Sequence, residues 1–361
     1  AAPAAVDGLI AYVLVTGGTG GIGFAVAEAL SAALPDARVL LSHRNASRCA
    51  AMREGHARLA CLPPLDLAAA PAKAAALLAA ALDAALRLGG PRACLHSVVM
   101  SAAALPEWDA VSDSPLPRVL SASVLAHLGL LDLLLALERA RGGGGQAAAP
   151  RWCPRGGAVL MVSSGAARLA TRAGLSDLLR GKPYSSVSGD RPPATMDAAV
   201  AAYFGAATSG QAYAATKLLQ GLVAREAERR AALLRPEGRG AARLLVLAPA
   251  PAGTALTPLS SEFVSWVRRG GALPASKLLL PAEAARPVAA AAIDPAAAPP
   301  LERSGGPLAP WARGPCDAWY AWVHLMGLLL PKGESVAHTP QRWTPPAGCE
   351  SRAPAGWPLS E

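Results

Sequence analysis

Short apolar runs alternate with longer amphipathic stretches along most of the chain, and this alternation restricts the fold more than any other feature. Strands that alternate with helices in this way predict a parallel sheet covered by helices on both faces, an α/β fold. The predicted strands are 11–15, 37–42, 57–64, 94–101, 157–164 and 242–249, and the predicted helices begin near Ile22, Ala46, Ala72, Val119 and Ala212.

Two segments interrupt the alternation. Residues 141–150 are of low complexity, and residues 165–211 form a long insertion of the kind that is usually functional or disordered. We predict one domain over residues 1–307, including the insertion. An irregular Pro/Trp-rich extension is expected over residues 308–361, with one apolar island at 319–330.

Two apolar stretches raise the question of a membrane. Residues 119–137 are almost uniformly apolar, but His127 and Asp132 lie inside them and the stretch falls between two core strands, which favours a buried helix. The island 319–330 is too short to span a bilayer. It is either a helix docked on the domain or a contact with a membrane surface or a larger assembly.

The charge balance bears on partners. The chain has 34 Lys and Arg against 25 Asp and Glu, a net charge of +9, and the basic residues are dispersed rather than clustered with aromatic residues. This pattern gives little support to nucleic-acid binding, and a polyanionic cofactor or an acidic surface accounts for it equally well. We therefore expect no nucleic-acid partner.

The cysteines bear on the compartment. None forms a CxxC pair or has a His at metal-ligand spacing, so neither a zinc site nor a disulfide scaffold is expected, which favours a reducing intracellular compartment. The compartment itself is not defined, and an organelle reached after removal of a targeting peptide is consistent with the sequence. The six are Cys49, Cys61, Cys94, Cys153, Cys316 and Cys349.

The stretch TGGTGGIG, residues 16–23, follows the first predicted strand and precedes the first predicted helix. Gly17 permits a tight turn, Gly21 lets the backbone approach a pyrophosphate, and Gly23 allows close packing of helix on strand. The simpler interpretation is an ordinary strand-to-helix turn. A phosphate-binding loop lies between a strand and a helix, and this stretch has both predicted neighbours. We therefore favour a dinucleotide site in a Rossmann-type, doubly wound sheet.

A second motif, YAATK, lies at residues 213–217 on a predicted helix. Residues four apart share one helix face, so the ammonium group of Lys217 is expected beside the phenol of Tyr213 and is expected to lower the pKa of that phenol. The sequence VSS upstream, at the end of the fifth predicted strand, supplies Ser164 as a partner, with Ser163 as the fallback.

With TGxxxGxG, VSS and YxxxK in this order, the chain resembles the short-chain dehydrogenase/reductase family over roughly residues 10–307. The resemblance implies that Ser164 polarises a substrate carbonyl, Tyr213 protonates it, and Lys217 also binds the nicotinamide ribose. It implies a catalytic set of Ser164, Tyr213 and Lys217, and a cofactor-binding set of Gly17, Thr19, Gly21, Ile22, Gly23, Arg44, Asp66, Tyr213, Lys217 and Thr254.

The end of the second predicted strand favours one cofactor. An acidic residue there would bind the ribose 2′-hydroxyl group, but this chain has Ser42, His43 and Arg44, and arginine suits a 2′-phosphate, so we expect NADP(H). A solvated Arg44 in a loop is the alternative. By resemblance, Asp66 lies at the adenine ring and Thr254 contacts the nicotinamide carboxamide.

Several positions depart from the family. MSAA at 100–103 stands where NNAG is usual, and Ala126 stands where an Asn serves the proton relay. A second tyrosine, Tyr184, is followed four residues later by Ser188 and not by a lysine. Because it lacks the lysine of YxxxK, a role in a lid or substrate pocket is favoured over that of the catalytic tyrosine.

The likeness is strongest to the sterol 3-keto-reductase and retinol-dehydrogenase-like branches, which implies NADPH-dependent reduction, or reverse oxidation, of a lipophilic carbonyl or alcohol in lipid metabolism. A lid formed by 165–211 and the stretch carrying Phe263, Val264 and Trp266 is expected to line the pocket, and family members commonly form homodimers. The alternative is a weakly active or inactive fold that serves as a structural or cofactor-sensing subunit.

Overall fold

The computed structural model defines one α/β unit. It describes residues 9–68, 70–103, 117–142, 152–153, 157–164, 166–167, 170, 175, 200, 203–204, 207, 209–233, 245–247, 281–294, 315–329 and 345–349.

A parallel sheet of six strands forms the centre of the domain, in the order β3-β2-β1-β4-β5-β6. This order is that of a doubly wound nucleotide-binding sheet, with the change of direction between β1 and β4. The strands are β1 Ile10–Thr16, β2 Ala37–Leu41, β3 Leu59–Cys61, β4 Ala93–Met100, β5 Ala158–Met161 and β6 Leu245–Leu247.

The helices cover the sheet on its two faces. The fourth helix, α4, is continuous through a π-helical turn: it is α-helical over Arg118–Leu120, π-helical over Ser121–Leu125, and α-helical again over Ala126–Gly142. The others are α1 Gly21–Ala33, α2 Ala46–Arg53, α3 Pro71–Leu88, α5 Ser209–Leu233, α6 Pro281–Ile293 and α7 Pro315–Leu329.

Two hydrophobic clusters, one on each face, explain why the strands read as continuous apolar runs. In β1, Val13 and Val15 join the cluster with α1 and α6, while Tyr12 and Leu14 join the cluster with α3, α4, α5 and α7. All eight residues of β4 are buried. A strand buried on both faces needs apolar residues at successive positions, not alternate ones.

The predicted α/β fold is confirmed, and each predicted strand overlaps an observed one. The observed β3 and β6 have three residues each, shorter than the predicted runs, whereas β1 extends beyond the predicted run 11–15 by one residue at each end. Most of the insertion 165–211 lies outside the described residues, as does SGGP at 304–307, where the family resemblance implies a last strand.

The apolar helix that raised the membrane question is a core helix. Of the helices that the structure describes, only the span Arg118–Ala136 is long and apolar enough to cross a bilayer, and 78% of that window is buried inside the protein. Likewise, α7 docks on the domain, with Trp319 and Trp322 almost completely buried. Contact of the island 319–330 with a membrane surface or a larger assembly stays a prediction.

The prediction that the chain has no disulfide scaffold is wrong. Disulfides join all six cysteines, and no cysteine is free. The spacing argument failed because each bridge joins segments that become neighbours only in the folded protein, a proximity that sequence separation does not reveal. The argument for a reducing compartment thereby loses its basis. The bridges are Cys49–Cys61, Cys94–Cys153 and Cys316–Cys349.

Candidate active site

The two sequence motifs meet at the carboxyl edge of the sheet. Thr16 at the end of β1 pairs with Met100 at the end of β4, and Met100 pairs with Met161 at the end of β5. The segments that follow these strands therefore lie side by side, at the change in strand order where doubly wound sheets bind ligands. The glycine loop follows β1, and the VSS segment at 162–164 directly follows β5.

Close contacts explain the glycines of the loop. Gly17 has a φ of 65°, and a Cβ atom there would lie 2.7 Å from Ala102 Cα. A Cβ atom on Gly23 would lie 2.4 Å from the carbonyl oxygen of Gly17. Only glycine fits these two positions without a backbone shift, so the packing of loop against helix that the sequence predicted is observed.

The N-terminus of α1 has the features of an anion site. Its N-cap, Gly20, has no side chain to bind the first amides, and no acidic residue stands in the first turn. Gly21, Ile22 and Gly23 form that turn, and Thr19 stands in the turn before it. Free amides and the positive end of the helix dipole favour a bound phosphate here.

Arg44 is exposed in the short connection between β2 and α2. The next residue, Asn45, caps α2 by accepting a hydrogen bond of 2.9 Å from the backbone amide of Arg48. Ser42 is buried, and its carbonyl accepts from the amide of Gly18 at 3.1 Å, which ties this connection to the glycine loop. The exposed guanidinium group of Arg44 can therefore meet an anion beside the glycine loop.

Asp66 joins the connection between β3 and α3 to the start of α4. Its Oδ1 accepts from the amide of Ala68 at 2.9 Å, and its Oδ2 accepts from Arg118 at the start of α4 at 3.1 Å. Both carboxylate oxygens are therefore engaged inside the protein. The expected contact of Asp66 with an adenine ring stays a prediction.

Burial raises the pKa of Tyr213, and an interaction with the side chain of Ser164 offsets part of that rise. Ser164 accepts a hydrogen bond from the amide of Ala166 at 3.3 Å, which helps to orient its hydroxyl group. The expectation that Tyr213, with Lys217 on the same helix face, has a pKa below the usual value is therefore wrong for this structure, because desolvation outweighs the neighbouring groups.

Lys217 lies one turn after Tyr213 and is buried. Its Nζ donates to the carbonyl oxygen of Val162 at 3.0 Å and lies 5.6 Å from the centre of the Tyr213 ring. Burial lowers the pKa of Lys217 to about 8. The shared helix face predicted from the spacing is observed.

The structure separates the two candidate serines. Ser163 is buried and donates to the backbone carbonyl of Lys217 at 2.9 Å, so its hydroxyl group is used to fix α5 against β5. Ser164 instead interacts with the Tyr213 side chain. The arrangement favours Ser164 over the fallback Ser163 as the residue facing a substrate.

A buried hydrogen-bond network behind the site was missed by the sequence analysis. His127 Nδ1 lies 3.0 Å from the carbonyl oxygen of Ser123, so Nδ1 carries the proton and Nε2 accepts from the hydroxyl of Thr16 at 2.8 Å. Gln220 also donates to Ser123, and Thr16 accepts from the amide of Ala102. Burial lowers the pKa of His127 to about 4, which keeps the ring neutral.

Hydrogen bonds of this network join neighbouring segments at MSAA, 100–103, where the family usually has the side-chain amides of NNAG. Ser101, in the MSAA segment, donates to the carbonyl oxygen of Thr16 at 2.8 Å, so the ends of β1 and β4 are still joined. Ala126 is fully buried directly after the π-helical turn. The sequence does contain a signal for this network, because His127 lies inside the largely apolar stretch 119–137. In the sequence analysis that histidine served only as evidence against a membrane span.

Some expected site residues cannot be placed. Thr254, Tyr184 and the stretch containing Phe263, Val264 and Trp266 lie outside the described residues. Of the other predicted residues, the structure brings the glycine loop, Ser164, Tyr213 and Lys217 to one edge of the sheet.

Comparison with known proteins supports the fold. No protein-family profile and no curated protein sequence matches the chain. The RhlG/NADP active-site complex of Pseudomonas aeruginosa is 19% identical, with 81% of this chain and 93% of that chain covered and a TM-score of 0.50.

Two further solved structures match with lower TM-scores. The KRED1-Pglu enzyme is 17% identical over 78% of this chain and 94% of its own, with a TM-score of 0.44. A short-chain dehydrogenase from Streptomyces avermitilis is 19% identical over 78% of this chain and 82% of its own, also at 0.44. Taken with the strand order, the similarity to the Pseudomonas structure shows that this chain has the Rossmann-like α/β fold found in short-chain dehydrogenases.

Proposed function

We propose that the protein is a short-chain oxidoreductase that uses NADPH to reduce a carbonyl group. The observation that carries this proposal is the interaction between the side chains of Ser164 and Tyr213, with Lys217 one turn further along the same helix. These groups stand at the same sheet edge as the glycine loop. A proton donor and a phosphate site on one edge suit a reaction between a dinucleotide and a carbonyl compound.

The residues present fit a nicotinamide dinucleotide phosphate. Uncapped amides at Gly21, Ile22 and Gly23 and the close-packed Gly17 would hold the pyrophosphate, and the exposed Arg44 would hold the 2′-phosphate. When bound, NADPH supplies the hydride. Asp66 and Thr254 are carried over by resemblance, as contacts for the adenine ring and the carboxamide.

Ser164 and Tyr213 act on the substrate oxygen. The Ser164 hydroxyl donates to the carbonyl oxygen and stabilises the negative charge that develops there. The raised pKa of Tyr213 keeps its phenol protonated at neutral pH, so the proton is available to that oxygen. An alkoxide is far more basic than a tyrosinate, so this proton transfer is favourable. The same raised pKa disfavours the tyrosinate that alcohol oxidation would need, which supports the reductive direction.

Lys217 acts after the proton leaves Tyr213. Its ammonium group, held by the Val162 carbonyl at 3.0 Å, faces the phenol ring and stabilises the tyrosinate that forms. Since burial lowers the pKa of Lys217 to about 8, this cation is lost as the pH rises above that value. Carbonyl reduction should therefore fall on the alkaline side of pH 8.

The proposed substrate is a lipophilic ketone or aldehyde. Support comes from the sequence likeness to the sterol and retinoid branches and from the apolar helical face that the spacing of Phe263, Val264 and Trp266 predicts. Each buried methylene is expected to add up to about 0.8 kcal/mol of binding until the pocket is filled. A homodimer, common in this family, is part of the same proposal.

A second candidate function is a structural or cofactor-sensing subunit with little turnover. Two observations favour it: Ala126 replaces the relay asparagine, and the Lys217 ammonium group is bound to a backbone carbonyl of its own chain. The candidate requires that NADPH binds and that no carbonyl compound is turned over.

One assay separates the two candidates. Purified protein is given NADPH and a series of straight-chain ketones and aldehydes, and NADPH consumption is followed together with NADPH binding. Turnover whose kcat/KM rises with chain length, and that Tyr213→Phe abolishes while NADPH affinity is kept, supports the reductase. NADPH binding with no turnover across the series would contradict the reductase and favour the subunit.

A further inference from the structure

His43, Cys49 and Cys61 form a compact cluster that the proposed reaction does not use. Their ligand atoms, one imidazole nitrogen and two sulfurs, all lie within 4.8 Å of one another. His43 follows β2, Cys49 is on α2, and Cys61 ends β3, so three elements contribute. In the oxidised protein the two cysteines are joined by a disulfide.

His43 is the unusual member of the cluster. Its side chain is buried, with 4% of the residue exposed, and neither ring nitrogen has a hydrogen-bond partner among the described residues. A buried imidazole without a partner loses its hydrogen bonds to water without replacement, which is unfavourable. Oxidised sulfur is at best a weak acceptor. The lack of a partner for this ring therefore indicates that His43 binds a ligand that is absent from the disulfide form.

We propose that the reduced pair Cys49 and Cys61, together with His43, forms a site for a thiophilic cation, Zn²⁺. A set of two thiolates and one imidazole binds Zn²⁺ in preference to hard cations. Two thiolates also neutralise the charge of the ion, which lowers the cost of holding it in a buried place. While Cys49 and Cys61 are joined by the disulfide, the two thiolates are absent and the site cannot bind the ion.

The backbone already holds the three ligands in place. The amide of Cys49 donates to the carbonyl oxygen of Asn45 at 3.1 Å, and Cys61 is paired with Leu41 across the sheet. The carbonyl of His43 accepts from the amide of Leu65 at 2.8 Å. With Zn–S near 2.3 Å and tetrahedral angles, two thiolate sulfurs on one ion are roughly 3.8 Å apart, so opening the bridge needs only rotation of the side chains.

The electrons and protons balance with a dithiol as the reductant. The Cys49–Cys61 bond takes two electrons and breaks, the two sulfurs of the dithiol join in a disulfide, and two protein thiols result. Zn²⁺ then replaces the two thiol protons, which pass to the buffer. The fourth coordination position is left to water, which can approach from the side of Cys61, the least buried of the three residues.

The test is a cobalt titration of the full chain. The protein is reduced with dithiothreitol, passed anaerobically into reductant-free buffer, and titrated with Co²⁺, whose thiolate charge-transfer absorption reports sulfur ligation; Zn²⁺ is then added to displace the cobalt. We expect one equivalent in the reduced wild type and none in the oxidised wild type. His43→Gln, which keeps every cysteine, should weaken binding at least about 100-fold, since loss of an outer-shell partner alone costs 10- to 100-fold.

Matched controls distinguish this site from other thiols. The double variant Cys94→Ser/Cys153→Ser lacks a different bridge and should bind Co²⁺ as the wild type does, whereas Cys49→Ser/Cys61→Ser should not. Equal affinity in His43→Gln, or no sulfur-bound cobalt in the reduced wild type, would overturn the proposal.

A second measurement needs no variant that might misfold. In the reduced wild type, Zn²⁺ should protect Cys49 and Cys61 from alkylation, read by peptide mass mapping. The alkylation rates of the other four cysteines should be the same with and without Zn²⁺. Alkylation of Cys49 and Cys61 at the same rate with and without Zn²⁺ would also overturn the proposal.

Discussion

Ser163 donates its hydroxyl hydrogen to the backbone carbonyl oxygen of Lys217 at 2.9 Å, so the end of β5 is fixed directly to the helix that carries the proposed acid. Its neighbour Ser164 instead interacts with the side chain of Tyr213. Two adjacent serines thus have different roles, one in holding the helix and one in the site.

The first prediction uses this pair as a matched test. Ser164→Ala should lower kcat for carbonyl reduction by about 100-fold or more, the loss seen when a donor to a developing oxyanion is removed. Ser163→Ala should keep kcat within a few-fold but lower the free energy of unfolding by about 1 kcal/mol, since it removes a buried hydrogen bond. Steady-state kinetics and urea unfolding measure the two effects. Loss of turnover confined to Ser163→Ala would reverse the assignment.

The second prediction concerns the glycine loop. Gly23→Ala places a Cβ atom 2.4 Å from the Gly17 carbonyl oxygen and 2.6 Å from Ser101 Oγ, so the loop must shift and NADPH affinity should fall at least about tenfold. Gly210→Ala is the control, because a Cβ atom there meets nothing within 4 Å. In the helix it should stabilise the protein by up to about 1 kcal/mol and leave NADPH affinity unchanged. Calorimetric titration with NADPH checks both, and equal affinities would contradict the close packing.

The sheet could be predicted from the sequence because its strands are buried on both faces. Such strands read as unbroken apolar runs, and those at 11–15 and 94–101 needed no tertiary information. The phosphate loop could be predicted because Gly17 and Gly23 are needed for local close contacts.

The rest depended on contacts between distant parts of the chain. Cys94 and Cys153 meet only because β4 pairs with β5, and His127 reaches Thr16 only because α4 packs against the end of β1. No local pattern encodes such contacts. The raised pKa of Tyr213 is a similar case, because the spacing to Lys217 reveals a nearby cation but not how little water surrounds the phenol.

The third prediction is a pH dependence of stability due to His127. Its pKa is lowered from 6.5 to about 4 in the folded protein, so between these values the unfolded chain binds a proton that the folded protein does not. Stability is therefore fully present above about pH 6.5 and falls as the pH drops toward 4, by roughly 3 kcal/mol at most. Urea unfolding at a series of pH values measures it.

His127→Gln provides the control for this prediction. The variant removes the titrating ring but leaves His96, whose pKa is also lowered by burial, in both proteins, so its contribution cancels in the difference. The gap in stability between wild type and variant should be constant above pH 6.5 and shrink below it. A gap that does not change with pH would show that His127 does not titrate in this way.

The fourth prediction tests cofactor choice. Arg44→Asp replaces the proposed phosphate partner with a repelling charge, so NADPH affinity should fall by about 10- to 100-fold while NADH affinity is kept or improved. Arg53→Asp, at the C-terminal end of α2 and also exposed, is the matched control for the change in net charge. Titrations with both dinucleotides measure the preference. If both variants lower NADPH affinity equally, the effect is one of overall charge and another residue binds the 2′-phosphate.

The last prediction concerns the bridge Cys94–Cys153, which joins β4 to the segment before β5 across a sequence separation of 59 residues. Closing a loop of that length removes enough freedom from the unfolded chain to stabilise the protein by about 4 kcal/mol. The double variant Cys94→Ala/Cys153→Ala should therefore be less stable than the wild type by about that amount under oxidising conditions. After reduction with dithiothreitol the other bridges open in both proteins, and the difference should fall to the smaller cost of lost thiol packing. Urea unfolding with and without reductant measures it, and equal stability of the two oxidised proteins would contradict the bridge.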